Sequence, residues 1–302
     1  MELQQYLRTR KPDASDKTMT GYVNNLKLLF NNMTGKTGRN TFDMDEFKKF
    51  TIPELVECIN KEGENKSHSY KRNMLSSLKA FSGDKSLTQL IKDESIAETK
   101  QYANREATED VKSHHLTQEQ IDAKYKELED MVEPLWKKDV NAEDFQKLQS
   151  FVMYALVCGK HIAPRRSQDW IKLKLRNINL DEDNYIDGKT FVFNQYKTAK
   201  GMGRQIIQIP PELYRILRKW IRYNKLDYLF VNSQLGPLCA NTYAQRLNHI
   251  MAVPGEKSSG YSTNNWRHVY LTNKYANTID LEKDMVSMGS GIGSAKNYIK
   301  KL

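Results

Sequence analysis

A tyrosine, two arginines and a lysine can break a phosphodiester bond if they meet. The phenolic oxygen attacks phosphorus and the cations hold the phosphate. The chain carries such a set in the order Arg165-Arg166-Ser167-Gln168-Asp169, Lys197-Thr198, Trp266-Arg267-His268 and Tyr298, the last following Met288-Gly289-Ser290. Taken singly, each segment is ordinary. Arg166 and Asp169, three residues apart, share a face of a helical turn, where a carboxylate can hold an arginine for a phosphate. The same spacing also describes a surface pair of little energetic value. Lys197 falls at the start of a predicted β-hairpin turn, either solvated or reaching a minor groove to protonate a leaving oxygen. Asn264-Asn265-Trp266-Arg267-His268 opens a helix behind the capping pair Ser262-Thr263. Backbone N–H groups there, together with Arg267, would make an anion site. A free phenol has a pKa of about 10 and attacks poorly at neutral pH. Lys296, Lys300 and Lys301 lie beside Tyr298 and would favour its phenolate, while the plainer alternative is a tail tyrosine packed on the core.

The elements that must position these residues read as two domains, in keeping with a length of 302 residues. Residues 1–97 read as helical. Ser15-Asp16-Lys17 starts a helix with Tyr22, Leu26, Leu29 and Phe30 on one face, Met44–Phe50 forms a short helix, and Pro53 opens another. Ser67–Phe81 completes a four-helix module. Residues 98–115 are polar and of mixed charge, and read as a linker. The second domain, 116–302, begins with a capping box at Thr117-Gln118-Glu119-Gln120 and a helix to about Trp136, followed by Asp144–Val157. Lys174–Ile178, Thr190–Asn194 and Gln205–Ile209 are short β-rich runs separated by turn residues at Asp181–Asn184 and Lys200–Gly203. Helices resume at Pro211–Asn224, Asn241–His249, Thr263–Thr278 and around Ser294–Lys300. The expected class is mainly α with a small antiparallel β-sheet, an α+β arrangement of a helical N-terminal domain and a mixed second domain.

Composition narrows the partner. A net charge of +10 and a pI near 9.2 favour a polyanion. The charge is dispersed over groups such as Lys71-Arg72, Lys197–Arg204 and Arg215–Arg222, which suits a surface wrapping a duplex. Cys58, Cys158 and Cys239 have no paired spacing, arguing for a reducing compartment and against a disulfide framework or zinc site. No apolar run approaches the roughly 20 residues that span a bilayer. The first residues lack the apolar core of a signal peptide. There is no phosphate-loop glycine motif and no cluster with metal-ligand spacing, so neither cofactor nor metal is expected.

In order and spacing, these segments resemble the tyrosine recombinase (phage integrase-type) family. Arg166-Ser167-Gln168-Asp169 is similar to its first box, with Leu173 and Ile178 at its hydrophobic positions. Lys197-Thr198 followed by Arg204 and Pro210 resembles the hairpin lysine box, Asn264–His268 the third box, and Met288-Gly289-Ser290 through Tyr298 the last. The chain departs from the family at Asn264 and Ser290, where a histidine and a histidine or tryptophan are usual. The resemblance spans about 115–302 and implies a clamp around double-stranded DNA. It implies Tyr298 as nucleophile, Arg166 and Arg267 on the phosphate oxygens, Lys197 as general acid and Asp169 orienting the arginines. His268, Asn264 and Ser290 would complete the catalytic set, and Arg165, Lys71, Arg72, Lys200 and Arg204 are expected to meet DNA. The implied product is a 3′-phosphotyrosine with a free 5′-hydroxyl, resealed without ATP or metal. It further implies a homotetramer on paired DNA sites, monomeric or dimeric when free, from a virus or mobile element and acting inside a cell with access to DNA. A type IB topoisomerase, a telomere resolvase and a DNA-binding relative with weakened catalysis remain as alternatives.

Overall fold

Side-chain caps mark the starts of four helices near the beginning of the chain. In the computed structural model, which describes residues 2–38, 42–103, 112–137, 139–252, 260–275, 281–291, 293–294 and 298, the chain divides into two units, Met1–Asn104 and Arg105–Leu302. In the first unit α1 (Leu3–Arg10) precedes α2 (Asp16–Thr34). The Ser15 hydroxyl accepts from the Thr18 N–H, and α2 ends on Gly35 in the left-handed region at φ 66°. Asp43 caps α3 (Met44–Phe47). Thr51 and Glu54 form a reciprocal capping box at α4 (Ile52–Glu62), and Ser67 caps α5 (His68–Ser82). Each cap satisfies an orphaned backbone donor and contributes about 1 kcal/mol. α6 (Leu87–Ala103) packs along α5, which also lies against α2. Leu26, Phe30, Phe47, Leu78 and Phe81 are buried at the centre of this unit.

Among the described residues α1 and α6 add two helices to the four expected. α6 runs to Ala103, so the expected linker is helical in its first part. Residues 104–111 of that linker lie outside the described residues.

The second unit is organised around α8 (Ala142–Val157), whose residues from Phe151 to Val157 are all buried. A helix apolar on every side must be surrounded. α7 (Gln118–Val132), α11 (Pro211–Tyr223), α12 (Ala240–Ile250) and α13 (Thr263–Tyr275) all pack against it. The capping box expected at Thr117 and Gln120 is present. A 3-10 turn, Glu133–Lys137, follows α7. α9 (Ser167–Ile171) leads into a four-stranded sheet, and α14 (Leu281–Ser287) follows α13. The expected helix end at 276–278 and most of the tail helix around 294–300 lie outside the described residues.

The sheet corrects the expectation of a wholly antiparallel arrangement. Its order is β1 (Leu173–Lys174), β2 (Asn184–Asp187), β3 (Thr190–Phe193) and β4 (Gln205–Gln208). β1 pairs parallel to β2, while β2–β3 and β3–β4 are antiparallel, with Tyr185 opposite Val192 and Phe193 opposite Gln205. β2 begins at Asn184, a residue whose type favours turns. Here Asn184 is fully buried and its amide is fully used. Nδ2 donates to the Asp169 and Gln195 carbonyls at 3.1 and 2.8 Å. Oδ1 accepts from the Asn194 and Gln195 N–H groups at 2.9 and 2.8 Å. These four hydrogen bonds tie the start of the strand to α9 and to the β3–β4 connection.

Candidate active site

Arg166, the residue before α9, has an extended backbone, so the chain changes direction as it enters the helix. The Ser167 N–H donates to Thr263 Oγ1 at 3.2 Å, tying the start of α9 to the start of α13. The two adjacent arginines therefore take different directions. Arg166 Nη1 donates to the Gly289 carbonyl at 3.0 Å, and Nη2 to Ser290 Oγ at 3.2 Å. Arg165 Nε instead donates to Asp169 Oδ2 at 2.9 Å, in a pair that is 1% and 0% exposed. This corrects two expectations. Asp169 grips Arg165 rather than Arg166, and Arg165, expected to meet DNA, commits Nε and Nη1 to acceptors within the protein. The physical reason is reach: from two residues before the helix, Arg165 folds back over the α9 turn to the carboxylate.

α13 carries Arg267, 1% exposed, whose Nη2 donates to Ser290 Oγ. The same hydroxyl thus receives both arginines. The Arg267 guanidinium carbon also lies 4.5 Å from the Tyr298 ring centroid. His268, the next residue, stacks obliquely on Tyr298 with ring centroids 4.8 Å apart. Its Nδ1 is 2.9 Å from the Tyr298 carbonyl, which can only accept, so Nδ1 carries the hydrogen. His268 Nε2 is then the acceptor, and Asn264 Nδ2 donates to it at 3.4 Å. Thr272 Oγ1 also donates to the Tyr298 carbonyl, at 3.4 Å.

The segment after α14 is held from several sides. Met285 and Met288 are buried with Leu271, Tyr275 and Tyr298 in a small apolar cluster. Asp284 ties α14 to α13: Tyr270 and Lys274 donate to its Oδ2 at 2.6 Å each, and Tyr275 donates to it as well. Gly289 sits at φ 68°, a conformation that favours glycine. Ser290 is 2% exposed.

Lys197 is exposed on the connection between β3 and β4, which also contains the short helix α10 (Ala199–Met202). Its neighbour Thr198 donates through Oγ1 to the Gly289 carbonyl at 2.7 Å, bringing this connection to the segment that holds Ser290. Lys200 and Arg204 are exposed on the same connection, and Arg204 Nη2 donates to the Tyr185 hydroxyl at 2.7 Å. In the first unit, Lys71 and Arg72 are half-buried on α5. Arg72 is committed to Glu98 of α6 and lies 3.3 Å from Ser69 Oγ, so part of its charge is neutralised within the unit.

Three guanidiniums, Arg165, Arg166 and Arg267, interact electrostatically with one carboxylate, Asp169, leaving an excess of positive charge. Burial pushes the Asp169 carboxyl up, and Arg165 followed by Arg166 pulls it back. Burial pushes Arg267 below its ordinary value, opposed by Tyr298 and reinforced by Arg166. An arginine so shifted stays protonated at neutral pH. Two guanidiniums sharing one hydroxyl are suited to hold an anion of phosphate size, and a tyrosine lies against one of them.

Sequence reasoning missed Gln205, Tyr196 and Asn184, which link the sheet to this cluster. A signal for Arg165 was present, since Arg165 and Asp169 are four apart, the spacing of one helical turn.

No family profile and no curated protein matches the chain. Solved structures do. XerH site-specific recombinase bound to palindromic difH substrate, in a post-cleavage complex, is 15% identical with a TM-score of 0.58, covering 93% of this chain and 75% of that one. The Tn1549 transposon integrase in complex with transposon right end DNA is 14% identical with a TM-score of 0.57, covering 100% and 96%. A lambda integrase dimer bound to a COC′ core site is 13% identical with a TM-score of 0.51, covering 99% and 77%. The chain has the fold of the tyrosine recombinases. Among the described residues no helix is long and apolar enough to cross a membrane.

Proposed function

We propose that this chain is a site-specific DNA recombinase that cuts and rejoins strands through a 3′-phosphotyrosine. The observation that carries the reading is the convergence of Arg166 and Arg267 on Ser290 Oγ, with Tyr298 packed on Arg267 of the same chain. Tyr298 gives up its phenolic proton to water and its oxygen bonds to the scissile phosphorus. The bond from phosphorus to the 5′-oxygen breaks, and that oxygen takes a proton from Lys197. Arg166 and Arg267 bind the non-bridging oxygens, where charge builds in the transition state. Ser290 spaces the two guanidiniums, while His268 and Thr272 hold the Tyr298 backbone. Attack by the 5′-hydroxyl of a partner strand reverses each bond change, so the number of phosphodiester bonds is conserved. The DNA-bound state of the fold neighbours supports double-stranded DNA as substrate, and pairing of two sites calls for several protomers.

The test is incubation with a library of random-sequence duplexes, each nicked beside the random core so that a cleaved fragment diffuses away. Covalent protein–DNA adducts are recovered and sequenced. The reading expects adducts enriched in one sequence, and strand exchange between two duplexes that carry it. Adducts at arbitrary sequence, with relaxation of a supercoiled plasmid, would assign the chain to type IB topoisomerase chemistry instead. Salt-sensitive duplex binding without adducts would make it a DNA-binding relative.

A further inference from the structure

We infer that Arg165 is a positioning residue that sets the distance between the three elements carrying Arg166, Lys197 and Tyr298; the inference rests on the recombinase reading of this site. Arg165 is buried, and its Nε and Nη1 are already committed to acceptors within the protein. Its guanidinium contacts all three elements. Toward α9, Nε donates to Asp169 Oδ2 at 2.9 Å. Toward the hairpin, Nη1 donates to Gln205 Oε1 at 2.8 Å, and its planar face lies 4.0 Å from the Phe193 ring centroid and 5.2 Å from that of Tyr196. Phe193 ends β3, Tyr196 precedes Lys197, and Gln205 starts β4. Toward the tyrosine segment, Nη1 donates to the Ser287 carbonyl at 2.6 Å, at the last residue of α14.

That last contact does the positioning. The final carbonyls of a helix have no partner within the helix and carry partial negative charge. Here they are claimed in sequence by side chains of the other elements. Gln205 Nε2 donates to the Val286 carbonyl at 3.0 Å, Arg165 takes Ser287, and Arg166 with Thr198 takes Gly289. The chain then enters Ser290 with its backbone already fixed. A Cβ on Gly289 would lie 3.2 Å from Arg165 Nη2 and 3.3 Å from Tyr196 Cδ2, so the backbone closes directly on the guanidinium.

Arginine is suited to this position by shape. Its rigid fork donates in several directions in one plane while its face stacks on aromatic rings. A lysine supplies one compact charge and no face, and methionine fills the space without donors. Because the reacting groups must be held closely, a shift of about 1 Å in the Ser290–Tyr298 segment costs about 100-fold in rate.

The experiment compares the full chain with Arg165→Lys, Arg165→Met and Gln205→Ala. It measures duplex affinity, the rate of covalent adduct formation at saturating nicked duplex, and amide hydrogen exchange at residues 286–290. The expected result is duplex affinity near that of the parent, with adduct formation slowed about 100-fold in Arg165→Met. Arg165→Lys is expected to rescue little of this, and Gln205→Ala to slow the reaction about 10-fold. Faster exchange at residues 286–290 accompanies the loss in each case. Parent-like rates and exchange in the variants would overturn the inference, as would equal loss of affinity and rate, the mark of a direct DNA contact. Should Arg165→Met fail to fold, Gln205→Ala, which leaves the buried pair intact, decides. If the parent forms no adduct the recombinase reading fails, and the exchange measurement still decides whether Arg165 pins the segment.

Discussion

Arg166 and Arg267 meet at one hydroxyl, both donating to Ser290 Oγ although they come from different helical elements. A hydrogen bond to a charged group contributes about 1.5–3 kcal/mol, so losing the shared acceptor removes one anchor from each guanidinium. Ser290→Ala is expected to slow covalent adduct formation about 10-fold or more, with little change in duplex affinity. Single-turnover rates at saturating DNA, beside equilibrium binding, check this. Parent-like rates would remove Ser290 from the site.

Lys197 is exposed on the β3–β4 connection, held near the site through Thr198. If it protonates the leaving oxygen, Lys197→Ala slows cleavage about 100- to 10,000-fold. A duplex with sulfur in place of the scissile 5′-bridging oxygen needs no such proton, because a thiolate is a stable leaving group. The variant is therefore expected to recover most of its rate on that substrate. Equal slowing on both substrates would make Lys197 a phosphate contact.

Much of this arrangement was legible in the sequence because order along the chain and one-turn spacings survive folding. The start signals at Ser15, Pro53 and Thr117 mark helix starts found in the structure. What was not legible depends on where side chains turn. The three-residue spacing pairs Arg166 with Asp169 in sequence, yet Arg166 reaches Ser290 while Arg165 is buried on Asp169. Asn184 has the type of a turn residue, and only its burial with four hydrogen bonds makes it a strand start. Asn184 also stands opposite Leu173 in the parallel pairing of β1 with β2. Arg72 looked available to DNA, but its partner Glu98 is far away in sequence.

Gly289 occupies φ 68° with Arg165 and Tyr196 against it. Gly289→Ala is expected to cost about 1–2 kcal/mol from the left-handed backbone alone. The close approach to Arg165 Nη2 adds strain. A lower thermal midpoint for the second unit, with slower adduct formation, is the expected outcome. An unchanged midpoint would mean that the segment adopts another conformation.

Asp284 gathers Tyr270, Lys274 and Tyr275. Burial raises its carboxyl, but hydrogen bonds from Lys274, Tyr270 and Tyr275 outweigh that and hold it below its ordinary value. A carboxylate lowered on folding stabilises the protein above its unfolded value of about 4 and loses that contribution as pH falls through the folded value. Asp284→Asn is therefore expected to melt below the parent at neutral pH, with the gap narrowing below about pH 4. Thermal melts across pH check this, and a gap that widens in acid would contradict the sign.

The central claim is that Tyr298, packed on Arg267, forms the bond to DNA. The most direct measurement is peptide mapping of the protein–DNA adduct trapped on the nicked random-sequence duplex library, run in parallel on Tyr298→Phe. The expected result is a nucleotide mass attached at Tyr298 and no adduct from Tyr298→Phe, which should bind duplex as the parent does. An adduct at another residue, or one that persists in Tyr298→Phe, would contradict it.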